Sequence, residues 1–185
     1  MNDVLGIPPA PTGRYPLILG LMPCWNQDYL NAAWPVVRPG VEELAQIAGG
    51  EFDSLFVYQQ VFSGRFQLYM GYTDLTGKAI PKEYQMHLPE KLRTAEKDFL
   101  GFFILDLFRP KAIHVFAAYI MPEFRNRGIY EIAYEYIESQ VKMIGAKEVT
   151  ASVSKEAAES MRGRGFEMGF ADIKTGLVDV RKILK

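Results

Sequence analysis

The sequence is poor in the residues that carry metal and redox chemistry. Its 185 residues include one cysteine, Cys24, and two histidines, His87 and His114. A lone cysteine excludes an intrachain disulfide and fits a reducing compartment. Beside Trp25 it reads as a small packed residue rather than a nucleophile. Three scattered side chains show no ligand spacing, so no metal site is expected. The chain also lacks a block of one charge sign. Its 21 Lys and Arg against 22 Asp and Glu leave a formal net charge of −1, which argues against a general nucleic-acid or membrane-surface binder. The longest apolar runs, within 99–108 and 112–121, are too short to span a bilayer. The N-terminus has no basic start followed by an apolar run, so no secretory signal is expected. These absences together predict a soluble, cytoplasmic protein.

What is present is a core. Hydrophobic residues make up 49% of the chain and aromatics 13%, richer in both than a disordered chain. The length predicts a single domain over 1–185. Residues 1–15 carry Pro8, Pro9, Pro11 and Gly13 and read as an irregular arm. Residues 16–50 read as mostly helical. Asn26 would cap a short helix through Ala33, and Pro39 stands near the start of a second that Gly49 and Gly50 end. Pro35 and Pro39 mark the break between them. Trp25, Tyr29 and Trp34 read as packing residues. Residues 52–62 are ambiguous in period and lean towards helix. After Gly64, residues 65–72 read as a strand closed by a turn at 74–77. Gly77-Lys78 is similar to part of a phosphate-binding P-loop, but Gly71 is one residue too distant and Ala79 replaces the metal-reaching hydroxyl. That reading is rejected. Residues 78–97 are polar and read as an inserted excursion.

Two strong strands follow, 99–108 and 112–121, and their short connection predicts an antiparallel pair near the centre of a sheet. From 113 to 145 the chain reads as a buried strand, a stop at Pro122, a basic loop ending in Gly128, and an amphipathic helix. Ile129, Ile132, Ala133, Tyr136, Ile137, Val141 and Ile144 form its apolar stripe. Glu138 and Lys142 stand one turn apart outside it and are expected to pair. A basic glycine loop at a helix start aims unpaired N–H groups and a positive dipole end at one spot, which suits a phosphate. Residues 147–153 read as a strand. A short helix capped by Ser154 runs through Arg162, with Ala157 and Ala158 facing inward. Gly165-Phe166 leads into two last strands, 166–174 and 177–184, joined at Thr175-Gly176.

This order resembles the GNAT superfamily of acyl-CoA-dependent N-acetyltransferases over roughly residues 99–184. Met121-Pro122-Glu123-Phe124-Arg125 resembles the end of the family's fourth strand. Arg125-Asn126-Arg127-Gly128-Ile129-Tyr130 resembles its pyrophosphate loop, [QR]-x-x-G-x-[GA], and Gly165-Phe166 resembles the start of its sixth strand. The resemblance implies an α+β fold with a mostly antiparallel sheet of six to seven strands. That sheet would splay between the fourth and fifth strands and carry helices on both faces. It implies acetyl-CoA or another acyl-CoA as cosubstrate, with no metal. Arg125, Asn126, Arg127, Gly128, Ile129 and Tyr130 would hold the pyrophosphate, and main-chain groups of Ala118, Tyr119 and Ile120 the pantetheine. The acceptor would be an amine, on a small molecule or on a protein or peptide, with no nucleic acid or membrane involved. His114 falls where some members carry a general-base glutamate, and histidine titrates near neutrality.

Three positions depart from the family pattern. Tyr130 stands where Gly or Ala is preferred, and Ser154 replaces a frequent asparagine. Met161 stands where many members place a tyrosine that protonates the leaving thiolate. Tyr136, Tyr134 or a water would have to substitute. The alternative to an enzyme is a catalytically degenerate protein of this fold, a structural or binding component such as a phage virion protein. It would then work in a homo-oligomer or a larger assembly.

Overall fold

The computed structural model describes residues 17–21, 27–73, 99–107, 111–125 and 129–184. The expected arm at 1–15, the excursion at 78–97, the turn at 74–77 and loop residues 126–128 lie outside them. Seven strands form one sheet in the order β1-β2-β3-β4-β5-β7-β6. They are β1 (Leu17–Leu21), β2 (Phe66–Thr73), β3 (Phe99–Asp106), β4 (Ala112–Ile120), β5 (Glu148–Val153), β6 (Glu167–Ala171) and β7 (Val178–Ile183). Every neighbouring pair is antiparallel except β4 and β5, which run parallel. A parallel pair needs a crossover, and the helix α3 (Ile129–Met143) supplies it.

Alternation along the strands sorts side chains onto two faces. Phe66, Leu68 and Met70 of β2 with Phe102 and Ile104 of β3 pack against α1 (Gln27–Ile47) and α2 (Ser54–Phe62). Tyr69, Phe103 and Leu105 point the other way, towards α3 and α4 (Lys155–Arg162). Each fully buried Leu, Ile or Val contributes about 1.5–3 kcal/mol. The α1 layer comes very close to the sheet at Gly40, where a Cβ would stand 2.7 Å from the rings of Phe102 and Tyr119.

Four expectations need correction. Residues 27–47 form one helix, not two, although Pro35 and Pro39 lie inside it. The prolines remove the bonds to the carbonyls of Asn31 and Pro35, and all three residues are exposed. Water can meet those carbonyls, while Leu30, Ala33, Val37 and Val41 bury the opposite face. Residues 17–21, taken as part of a helical region, are an edge strand paired with β2 from Leu17↔Thr73 to Leu21↔Tyr69. On α3, Ile129, Ile137 and Val141 are buried as expected, but the stripe takes in Tyr134 and loses Ile144, which lies past the helix end and is half exposed. Glu138 forms its ion pair with Lys182 of β7 instead of Lys142. The ambiguous 52–62 segment is helical over 54–62, with the Asp53 side chain accepting from the Phe56 N–H at 2.6 Å. Ser154 caps α4 as expected, accepting from the Ala157 N–H.

Candidate functional site

β4 has one more residue than its partner needs. Ile104 lies opposite Ala117 and Leu105 opposite Val115, so Phe116 is a bulge. A bulge bends the strand and resets which side chains face which way. Before it, Ile113 and Val115 face α3; after it, Ala117 and Tyr119 face α1. At the same point β4 parts from β5. Their pairing runs from Ala112↔Glu148 to Val115↔Ala151 and ends there, while the strands continue to Ile120 and Val153. The second half of β4 therefore keeps its bonds to β3 and presents its other edge to a cleft. The cleft has a volume of about 310 Å³. Ala118, Ile120, Tyr130, Tyr134, Ser152 and Met161 are among its lining residues.

The opposite edge of this segment is held closely. A Cβ on Gly101 of β3 would stand 2.0 Å from the Tyr119 carbonyl oxygen, so only glycine lets the two strands approach here. The Tyr119 side chain turns from the cleft to α1, where its hydroxyl donates to Glu43 at 2.6 Å. Burial first, and Glu43 second, push the Tyr119 pKa up to about 12. Arg125 joins the same clamp. Its guanidinium donates to Glu43 at 2.8 Å and to the Ile120 carbonyl at 3.0 Å, and lies over the Tyr119 ring. These bonds from Tyr119 and then Arg125 hold the Glu43 carboxyl below the usual range. Arg125 is thus committed to α1 and the end of β4.

Ile129 opens α3 at the mouth of the cleft and is buried against Leu100 and Phe124. Tyr130 and Tyr134 follow on the same side, stacked at 6.2 Å. The Tyr130 hydroxyl donates to the Met161 sulfur at 3.5 Å, so the ring closes towards α4. Tyr134 packs edge-on against Phe166 at 5.1 Å, and its ring lies below the Lys182 ammonium. Its hydroxyl oxygen is buried and meets no hydrogen-bond partner among the described residues. Burial pushes the Tyr134 pKa well up, and nearby Glu138 adds to that push. The Glu138 carboxylate beside this hydroxyl is also paired to Lys182.

His114 does not line this cleft. It sits before the bulge, in the paired half of β4, with its Nδ1 3.0 Å from Thr150 Oγ1. It borders a second, more polar recess shared with Ser152, Glu167, Asp179 and Arg181. The structure therefore brings Ala118, Tyr119, Ile120, Ile129 and Tyr130 together around one cleft and sets His114 apart from them. Arg125 stands at the end of β4, and Asn126, Arg127 and Gly128 lie outside the described residues. The sequence reading missed Glu43, which is 82 residues from its arginine partner. It named Tyr134 only as a substitute proton source; the one available signal was its place one turn after Tyr130.

No family model and no curated protein matches the sequence. Solved structures do match in fold. One is the PaiA N-acetyltransferase from Thermoplasma acidophilum in complex with coenzyme A. It is 13% identical over 90% of this chain and 98% of that one, with a TM-score of 0.55. Another is a putative N-acetyltransferase from Lactobacillus plantarum, 8% identical over 91% and 99% of the two chains, at 0.60. N-acetylglutamate synthase from Neisseria gonorrhoeae, complexed with coenzyme A and N-acetyl-glutamate, is 13% identical. It matches 94% of this chain with 36% of its own, also at 0.60. This chain has the GNAT fold. At these identities the likeness is one of architecture. The splay between the fourth and fifth strands is the part of the GNAT fold that makes the cleft here.

Among the described residues no helix is long and apolar enough to cross a membrane. The same residues contain no group of three His, Cys, Asp or Glu placed to hold a metal ion.

Proposed function

We propose that the chain is an acyl-CoA-dependent N-acyltransferase, with acetyl-CoA the first donor to test. It moves the acyl group to an amine that attacks directly in a ternary complex. The observation that carries this reading is the early end of the β4–β5 pairing, which leaves a strand edge facing a cleft of about 310 Å³. An extended pantetheine arm can add to such an edge through main-chain bonds, as a peptide does in β-augmentation. Solved proteins with this architecture include N-acetyltransferases complexed with coenzyme A.

Acyl-CoA supplies an acyl group activated on sulfur. The chain's part is placement and electrostatics. The free edge around Ala118, Tyr119 and Ile120 binds and orients the arm, and an N–H of that edge is available to a carbonyl oxygen gaining charge. The start of α3, with Asn126, Arg127 and Gly128 of the preceding loop, takes the pyrophosphate. Arg125 acts by bracing the end of β4 against Glu43. The cleft also reaches apolar residues on the α1 side, Leu44, Ile47, Ala48 and Phe52, which exclude water from that approach. The acceptor is an amine on a small molecule or a peptide; the neighbours include N-acetylglutamate synthase and a NatC complex bound to Gag peptide. A general-base role for His114 rests on its position in the family pattern alone, since its side chain stands outside the cleft.

One observation favours a second reading, acyl-CoA binding without turnover. Met161, where the resemblance to the GNAT pattern would put a tyrosine, is 2% exposed and offers only a thioether. Thermal-shift titration with acetyl-CoA, followed by thiol release over an amine panel, separates the readings. A saturable shift with thiol release supports the transferase. A shift without release supports binding alone, and no shift well above micromolar concentrations overturns both. Gly128→Glu, which sets bulk and negative charge against the pyrophosphate, is expected to abolish the shift.

A further inference from the structure

The described walls of the cleft carry no charge. Every described lining residue is apolar, a glycine, or one of five hydroxyl carriers, Tyr119, Tyr130, Tyr134, Ser152 and Ser154. Those five are engaged elsewhere. Tyr119 donates to Glu43, Tyr130 to the Met161 sulfur and Ser152 to Asp179 at 2.7 Å. Ser154 caps α4, and Tyr134 lies beside Glu138. Both glutamates are in turn held by cations, Glu43 by Arg125 and Glu138 by Lys182. His114 borders the other recess.

The region left for an acceptor, beyond the edge assigned to the pantetheine arm, reaches the last turn of α1. Leu44, Ile47 and Ala48 line it there with Phe52 and Phe116, and Ile47 is 54% exposed although apolar. The Phe52 and Phe116 rings meet tilted at 5.0 Å, a wall that suits a further ring. A helix C-terminus ordinarily attracts a cation. Here the carbonyls of Leu44, Gln46 and Ala45 already accept the N–H groups of Ala48, Gly49 and Gly50. An ammonium entering this region gives up hydration for apolar walls, which disfavours its charged form. No described lining residue is a carboxylate or a histidine that could take its proton.

Such a cleft suits an amine that arrives neutral. An alkylamine with a pKa of about 10.4 is neutral in roughly one molecule in 10³ at pH 7. An arylamine shares its lone pair with its ring and is almost entirely neutral there. We propose that the acceptor is an arylamine, with its ring against Phe52, Phe116 and the end of α1 and its nitrogen directed at the open edge of β4. This inference rests on the acyl-CoA reading above. The transfer balances without a protein base. The nitrogen lone pair forms the C–N bond, the C–S bond breaks with its electron pair on sulfur, and the proton shed by nitrogen passes to that sulfur. The products are an N-aryl amide and the thiol of coenzyme A.

Two isomeric amines test the proposal. 4-Methylaniline and benzylamine share one formula and differ in whether the nitrogen is neutral at pH 7. Measured by thiol release from acetyl-CoA, kcat/KM at pH 7 is expected to be roughly tenfold or more higher for 4-methylaniline. It should stay level between about pH 6.5 and 8.5, whereas the benzylamine value should rise about tenfold per pH unit with its neutral fraction. Ile47→Asp, at an exposed position, sets a carboxylate beside the ring site. It should cut the preference for 4-methylaniline roughly tenfold, with the thermal shift given by acetyl-CoA unchanged. A preference for benzylamine at pH 7, thiol release with neither amine, or an unchanged preference in Ile47→Asp overturns the assignment. An acetyl-CoA thermal shift in those cases leaves cofactor binding standing. Absence of that shift in wild type overturns the acyl-CoA reading and the assignment with it.

Discussion

The two halves of β4 share a strand and differ in one edge. Residues Ala112 to Val115 are all paired to β5, His114 and Val115 to β3 as well, and Ile113 is buried beneath α3. Residues Ala117 to Ile120 are paired to β3 alone, and Ala118 is exposed. The Phe116 bulge divides them. A fully paired strand spends its hydrogen bonds on the fold, whereas a half-paired one keeps a row of them for a ligand. Stability and binding should therefore separate along nine residues.

The largest effect on stability belongs to the paired half. Ile113→Ala should destabilise by about 2–5 kcal/mol in denaturant titration, with coenzyme A affinity unchanged where the protein is folded. In the open half the pattern should invert. Ala118→Phe should change stability by less than about 0.5 kcal/mol, yet weaken coenzyme A binding at least tenfold, about 1.4 kcal/mol. A stability loss in Ala118→Phe matching that of Ile113→Ala would erase the distinction.

The strand and helix that frame this division were legible in the sequence, the bulge that makes it was not, and the exceptions have physical causes. The strand–loop–helix order around 113–145 showed because Pro122, the glycine at 128 and a 3.6-residue stripe are local signals. β1 did not show because Leu-Ile-Leu-Gly-Leu is short and apolar throughout, and only its distant pairing with β2 makes it a strand. The continuity of α1 through Pro35 and Pro39 depends on which face meets water, which no local rule reads. Glu43 was hidden for a similar reason. Its partners Tyr119 and Arg125 come from the far half of the chain. Tyr134 lay just off the expected stripe, and nothing in its sequence neighbours marks it as buried.

Smaller effects sharpen the same contrast. The Glu43 clamp braces only the open half, and its carboxyl is held below its ordinary value of about 4.3. A depressed carboxyl contributes stability that is present above that ordinary value and is lost as pH falls through the lower, folded value. Glu43→Gln should therefore flatten the stability profile from about pH 5 downwards, measured as Tm against pH. An unchanged slope would show that the clamp adds nothing. The smallest effect is expected from His114, which bonds Thr150 in the closed half. With His114→Gln, acyl transfer should stay within about threefold of wild type, equivalent to less than about 1 kcal/mol. A loss of a hundredfold with an altered acid limb of the pH–rate profile would instead give His114 the base role.

The most direct test of the divided strand is amide-resolved hydrogen exchange with and without saturating coenzyme A. New protection is expected within residues 117–120, with the amides of His114 and Val115, which are paired to both β3 and β5, already slow and unchanged. Protection absent from 117–120 while coenzyme A is bound would contradict it.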